Sequence, residues 1–262
     1  MPETLLEVKD VAVAFKGVKA VDRVSFAVKR GEICSIIGPN GAGKSSLLNV
    51  INGVYRARSG SITFDGETKK HIEPHWAAHR GIARTFQNIA LFKGMSVLDN
   101  VMTGLTLETR STFLEQGLGL GRGPREEREQ RERVERIIEF LKIEAHRQEI
   151  VGKLPYGLQK RVELARALAA HPKLLLLDEP MAGMNFDEKS QMTRFVVETN
   201  ARFGTTVILI EHDMGIVMDI SDHVVVLDYG RKIADGAPEQ VRNDRAVIDA
   251  YLGVAHEPSP PN

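Results

Sequence analysis

Two short stretches of the chain could do phosphate chemistry. Gly38 to Ser46 reads GPNGAGKSS, which satisfies G-x-x-x-x-G-K-[ST] after an apolar run, EICSII, and before a helical pattern, SSLLNVINGV. Strand, glycine loop, helix is the order such a loop requires. The glycines let backbone N–H groups converge on phosphate oxygens, and the helix N-terminus adds positive potential. Gly38, Pro39, Asn40, Gly41, Ala42, Gly43, Lys44, Ser45 and Ser46 are therefore candidate nucleotide-binding residues, with Lys44 neutralising the outer phosphates and the Ser45 hydroxyl ligating Mg²⁺. The second stretch is LLLLDEP, in which Asp178 and Glu179 stand where a doubly apolar run ends. That is the edge at which open α/β folds bind ligands. Asp178 can hold Mg²⁺ through water, and Glu179 can polarise a water for attack on a phosphoryl group.

Residues of this kind need a buried sheet beneath them. EICSII, KLLLLDEP from Lys173 and TTVILIEHD from Thr205 are apolar on both faces and each precedes a helical stretch, which predicts a parallel sheet covered by helices. Leu5 to Phe15, Ser25 to Val28 and Ser61 to Phe64 read as short strands broken by Gly17, Gly31, Gly60 and Gly66, an antiparallel patch. VVVLDYGRKIADG, from Val224, reads as a hairpin turning at Tyr229 and Gly230. Between these groups lies a mostly helical block from about Asn88 to Arg166. Within it, PREEREQRERVERIIEFLKIE places charges three to four residues apart ahead of Val134, Ile137, Ile138 and Leu141, so the charges form a solvated helix face. GLGLGRGP, Gly117 to Pro124, reads as a flexible joint, and the tail 257–262 as disordered.

At 262 residues the chain can bury a substantial core in one domain with a subdomain. Lys plus Arg equals Asp plus Glu, 35 each, so there is no basic field of the kind that marks non-specific nucleic-acid binders. Nucleic acid is not expected as a partner. A single cysteine, Cys34, excludes an internal disulfide and reads as a buried thiol on a strand. The N-terminus MPETLLEVKD lacks the layout of a secretion signal, and no apolar run approaches the ~20 residues of a membrane span. The expectation is a cytoplasmic protein that reaches a membrane only through a partner.

KLPYGLQKRVELARALAAHP, Lys153 to Pro172, is a helix surplus to one nucleotide site. It looks like the signature segment of ABC-type ATPases, followed at their usual distance by the carboxylate strand. From about Leu6 to Gly253 the chain resembles an ATP-binding cassette: an α/β P-loop NTPase with a RecA-like parallel-sheet core, an antiparallel β patch and an inserted helical subdomain. The implied layout is one cassette over 5–256, with core 5–87 and 167–235, helical subdomain 88–166 and a C-terminal extension 236–256.

In that family Phe15 would stack on the adenine of ATP, Gln87 in RTFQN would sense Mg²⁺ and the γ-phosphate, and His212 in IEHDM would contact the γ-phosphate. Glu179, His212 and Lys44 would carry the catalysis, and Ser45, Gln87 and Asp178 would serve the metal. Cassettes pair head to tail, so ATP at Lys44 of one chain would lie against the Tyr156 and Gly157 backbone of a second cassette, an identical chain or a paralogue.

The sequence departs from the common Leu-Ser-Gly-Gly-Gln signature, reading Leu154-Pro155-Tyr156-Gly157-Leu158, and it carries Asn185 where many cassettes have Asp. An amide at 185 can still hydrogen-bond across the interface, without charge. LPYG, AGMN, IEHDM, LDYG and the terminal AYLG are similar to the branched-chain amino acid importer subgroup. That resemblance implies transmembrane permease subunits, an extracytoplasmic solute-binding protein, and substrates such as branched-chain or other amino acids, urea or amides. The stretch LFKGMSVLDNVMTGL, which holds Phe92 and Met95, is where the family receives a helix of the membrane subunit. Competing readings are a soluble cassette ATPase of DNA repair or translation, and a nucleotide-gated regulatory module of low turnover. The first commonly shows cysteine clusters, coiled-coil insertions or two cassettes in one chain, none of which occurs here. Intact Glu179 and His212 speak against the second, while Pro155 and Asn185 keep it open.

Overall fold

The computed structural model describes residues 3–106 and 123–252. Most of the stretch expected to be a joint, residues 117–122, and the tail 257–262 lie outside them. The chain divides into two compact units, Met1–Pro74 with Asn200–Asn262, and His75–Thr199.

In the first unit, β1 (Thr4–Phe15) and β2 (Val18–Lys29) form an antiparallel hairpin about Lys16 and Gly17. β4 (Ser59–Phe64) pairs antiparallel with β1, and β5 (Glu67–Lys69) with β4, giving the order β2-β1-β4-β5. This is the expected antiparallel patch, with two differences. β2 begins at Val18 rather than Ser25, because Asp22, which breaks the apolar pattern in sequence, is buried and held by ion pairs with Arg231 at 3.1 Å and Lys19 at 3.3 Å. Gly60 lies inside β4 rather than ending it, since the Lys9 carbonyl of β1 passes 2.4 Å from where a Cβ would stand.

The same unit holds the parallel strands. β3 (Ile33–Ile37) is buried along its whole length and runs parallel to β8 (Thr206–Ile210) and β9 (His223–Asp228). β9 turns at Tyr229 and Gly230 into the antiparallel β10 (Arg231–Gly236), the expected hairpin, with both turn residues at positive φ, 42° and 79°. Cys34 sits fully buried on β3, and burial pushes its thiol pKa well above the ordinary value. The helices Pro238–Arg242 and Arg245–Leu252 bring Val241 and Val247 into one apolar cluster with Ile37, Val217, Val224 and Val226.

In the second unit, β6 (Ile82–Arg84) runs parallel to β7 (Leu174–Asp178), another strand buried at every position. Helix Gly123–Phe140 and the turn after it bury Val134, Ile137, Ile138 and Leu141 while Arg131, Glu132 and Arg136 are exposed, as the charge spacing predicts. Helix Tyr156–Ala169 opens at Pro155 and runs three residues past Arg166. From within helix Val97–Met102, fully buried Asn100 reaches back to the preceding loop, accepting from the Phe92 N–H at 2.9 Å and donating to the Phe92 and Ser96 carbonyls, both at 3.0 Å. Most of the apolar stripe of Leu91 to Leu105 is core; Phe92 is 55% exposed.

Phe64, fully buried where β4 meets β1, tests whether the patch is integral to its unit. Phe64→Ala is expected to lower unfolding stability by about 3–5 kcal/mol, read from a urea transition. A loss under about 1 kcal/mol would show the patch to be peripheral.

Candidate functional site

The expected residues divide between the two units. The first holds the phosphate loop, Phe15 and His212. Gly38, Gly41 and Gly43 have φ of 145°, 82° and 101°. At two of them no side chain fits: a Cβ on Gly38 would stand 2.0 Å from the Leu227 carbonyl oxygen, and one on Gly43 would stand 2.2 Å from that of Ala20. Strands β9 and β2 thus press on the loop from their own backbones. The hairpin turn adds a brace, the Gly230 N–H donating to the Ala42 carbonyl at 3.0 Å while its own carbonyl accepts from the Asp22 N–H at 2.8 Å. The loop feeds helix Lys44–Ile51, whose first residue is 6% exposed and folds its ammonium onto the Gly38 and Pro39 carbonyls at 2.7 and 2.9 Å. Ala42 is buried, Asn40 and Gly41 are exposed, and Pro39, Ser45 and Ser46 are partly buried.

Phe15 is 44% exposed at the end of β1, meeting Tyr55 edge to face at 4.9 Å between ring centroids. Its free face is of the kind a purine ring stacks on. His212 lies exposed in the turn after β8, beside Asp213, which caps the next helix through the Ile216 N–H at 3.4 Å. Two contributors escaped the sequence reading. Tyr55 stands in a turn without a pattern of its own. Tyr251 of the terminal AYLG has its phenol pKa raised by burial, an effect opposed by a hydrogen bond from the Gly38 backbone.

The second unit holds the carboxylates. Asp178 ends β7 at 2% exposure, and the Arg84 guanidinium of neighbouring β6 donates to its Oδ2 at 2.8 Å. Arg84 also escaped the sequence reading, being three residues from Gln87 with nothing local to mark it. Glu179 has a φ of 51°, a left-handed conformation that costs a non-glycine residue about 1–3 kcal/mol and gathers at active sites. The chain turns there as it leaves the strand, and Gln87 Nε2 donates to Glu179 Oε2 at 3.1 Å. The candidate water-activating carboxylate and the candidate γ-phosphate sensor therefore touch.

The signature turn lies in this unit too. Tyr156 is 44% exposed, Gly157 is buried, and neither has a side-chain cap from Pro155. A Cβ on Gly183 would meet the Tyr156 ring at 3.2 Å and one on Gly157 would meet Glu188 at 2.3 Å, so the signature turn and the AGMN loop pack together. Asn185 caps helix Phe186–Phe203: its Oδ1 accepts from the Glu188 N–H at 3.0 Å while Glu188 Oε2 accepts from the Asn185 N–H at 3.1 Å. The amide oxygen that the sequence suggests for a partner is engaged at home.

Among the described residues no group of three or more His, Cys, Asp or Glu could hold a metal. The residues expected to serve Mg²⁺ divide between the units, the Ser45 hydroxyl in the first and the Gln87 amide and Asp178 carboxylate in the second; each is an oxygen donor of a type that Mg²⁺ accepts.

Arg84→Leu removes the guanidinium that donates to buried Asp178 and is expected to cost about 3–5 kcal/mol of stability in urea unfolding. A loss below about 1 kcal/mol would mean that another group neutralises Asp178.

Residues 21–182 match the ABC transporter family model, and residues 231–257 match that of the branched-chain amino acid ATP-binding cassette transporter. The chain is 39% identical over 258 residues to the high-affinity branched-chain amino acid transport ATP-binding protein BraF of Pseudomonas aeruginosa, covering 97% of this chain and 100% of that one. It is 36% identical, with the same coverage, to LivG of Escherichia coli. Among solved structures, the ADP conformation of MJ1267, an ATP-binding cassette of an ABC transporter, superposes with a TM-score of 0.82 at 35% identity over 95% of this chain and 99% of that chain. The dimeric post-hydrolysis state of the cassette MJ0796 bound to ADP and Pi gives 0.76 at 25% identity, covering 89% and 99%. The chain belongs to the ABC transporter family, as one of its ATP-hydrolysing cassettes.

Proposed function

We propose that this cassette hydrolyses ATP to drive import of branched-chain or related amino acids through a pair of permease subunits, fed by an extracytoplasmic binding protein. The substrate class rests on the relatives BraF and LivG and on the match over residues 231–257. Among the described residues no helix is long and apolar enough to cross a membrane, so attachment to the inner face of the membrane would come through the permease.

The observation that carries the hydrolytic reading is the Gln87–Glu179 hydrogen bond at a strained strand end. Glu179 would accept a proton from the attacking water, and Gln87 would orient that carboxylate and, on binding, the γ-phosphate. Lys44 and the backbone N–H groups of the glycine loop would hold the phosphates, and Phe15 the base. Ser45, Asp178 and the Gln87 amide would hold Mg²⁺, which supplies positive charge against the phosphate oxygens. His212, exposed after β8, would contact the γ-phosphate. Tyr156 and Gly157 would face the nucleotide of a second cassette, where the helix N-terminus behind them favours negative charge. MJ0796 is dimeric with ADP and Pi, and a like pairing is the simplest use for the exposed Tyr156 turn. ATP would close the pair and hydrolysis loosen it, giving the permease its stroke.

Phosphate release by wild type and Glu179→Gln, each with its permease, tests this. Turnover should fall about 10²–10⁴-fold in the variant while ATP-dependent pairing persists in cross-linking. A wild type without turnover beside its permease would favour a regulatory module instead. A second experiment addresses docking. Phe92→Ser is expected to reduce transport about tenfold or more while leaving the soluble ATPase rate within about twofold. Equal loss of both would show Phe92 to be a fold residue only.

A further inference from the structure

Three residues on successive turns of helix Tyr156–Ala169 grip the backbone around Gln87. Glu163, 1% exposed, accepts through Oε1 from the Phe86 N–H at 3.2 Å and the Ala90 N–H at 3.4 Å. Lys160, 2% exposed, donates to the Phe86 and Gln87 carbonyls at 3.3 and 3.2 Å. Arg166 donates to the Ala90 carbonyl at 2.7 Å. Five hydrogen bonds thus tie one irregular segment, Phe86–Ala90, to the signature helix.

Lys160 has two further neighbours. Its ammonium lies 5.9 Å from the centre of the Tyr156 ring, and 3.6 Å from Glu163 Oε2, an oxygen left without a hydrogen bond. Thr85 Oγ1, lining the same narrow cleft beside Lys160 and Glu163, is likewise unsatisfied. A buried ion pair held this loosely is poor stabilisation; such groups are better explained by a geometry they specify. The ammonium carries three N–H donors and shares two of them between these carbonyls, so Oε2 at 3.6 Å is a further acceptor within its reach. Such an alternative is what coupling between sites requires.

We infer that Lys160 is a positioning residue that links the Tyr156–Gly157 turn to the Gln87–Glu179 contact, with Glu163 as the second acceptor that it exchanges against the Gln87 backbone. A nucleotide phosphate arriving at the turn would draw on the ammonium through the Tyr156 ring. The carbonyls of Phe86 and Gln87 would then be gripped differently, and the Gln87 amide would hold or release the Glu179 carboxylate. A cassette would thereby adjust its own water-activating group to the nucleotide of its neighbour. This rests on the reading of Glu179 and Gln87 as catalytic and of Tyr156 as facing a second cassette.

The test is a double-mutant cycle on ATP hydrolysis by the permease-bound complex, with Lys160→Met, Gln87→Ala and both together. Lys160→Met is expected to lower kcat about tenfold with KM for ATP within about twofold, and the double variant to be no slower than Gln87→Ala alone. Rates that multiply, or a change in KM alone, would overturn the inference. Because Lys160→Met strands a buried carboxylate, Lys160→Met/Glu163→Gln, which removes that charge yet keeps an oxygen to accept from Phe86 and Ala90, is measured beside it. If that variant recovers the wild-type melting temperature yet stays about tenfold slow, positioning is supported; if it recovers full turnover, the loss was one of stability and the inference fails. A Glu179→Gln chain that still turns over would instead refute the hydrolytic reading itself.

Discussion

A carboxylate buried at the end of an apolar strand is costly unless a donor of opposite charge meets it. Asp178 has such a donor in Arg84 on the adjacent strand, and the parallel pairing of β6 with β7 is what delivers the guanidinium to it. The rest of the second unit follows from this placement. β7 must be apolar at every position to be buried on both faces. The chain must then reverse sharply at its end, and Glu179 takes a left-handed backbone to do so. The segment after Arg84 must run irregularly to bring Gln87 to Glu179, so its peptide groups lose sheet partners and have to find others. Helix Tyr156–Ala169 supplies them from side chains.

In the first unit the corresponding constraint is steric. The phosphate loop is held by backbone pressed against backbone, with the Leu227 and Ala20 carbonyls occupying the space a side chain would need. Donors fixed this way do not have to reorganise when charge develops on a bound phosphate, which is the main source of electrostatic catalysis. The Tyr229–Gly230 turn belongs to the same device, since Gly230 bonds both to Ala42 of the loop and to Asp22 of β2.

The sequence was legible wherever the constraint is local. The glycine loop, the doubly apolar strands, the hairpin at Tyr229 and the buried stripe Val134, Ile137, Ile138 and Leu141 each declare themselves within a few residues, because backbone conformation and periodicity are short-range properties. What escaped is long-range. Arg84 is separated from Asp178 by 94 positions, and Glu163 from Phe86 by 77, and neither pair leaves a local trace. The charges at Asp22 and Arg23 hid the first half of β2, since a buried aspartate looks like a loop residue until Arg231 is seen beside it. Asn185 caps the helix that follows it through the Glu188 N–H, a pairing that only the structure brings out.

The C-terminal helices place Val241 and Val247 in the cluster that includes Ile37, the residue immediately before the phosphate loop. The segment that distinguishes this branch of cassettes is thus mortared into the wall behind the triphosphate cradle. Any change of side-chain volume at Val241 or Val247 is thereby passed to Ile37 and so to the glycine that begins the cradle.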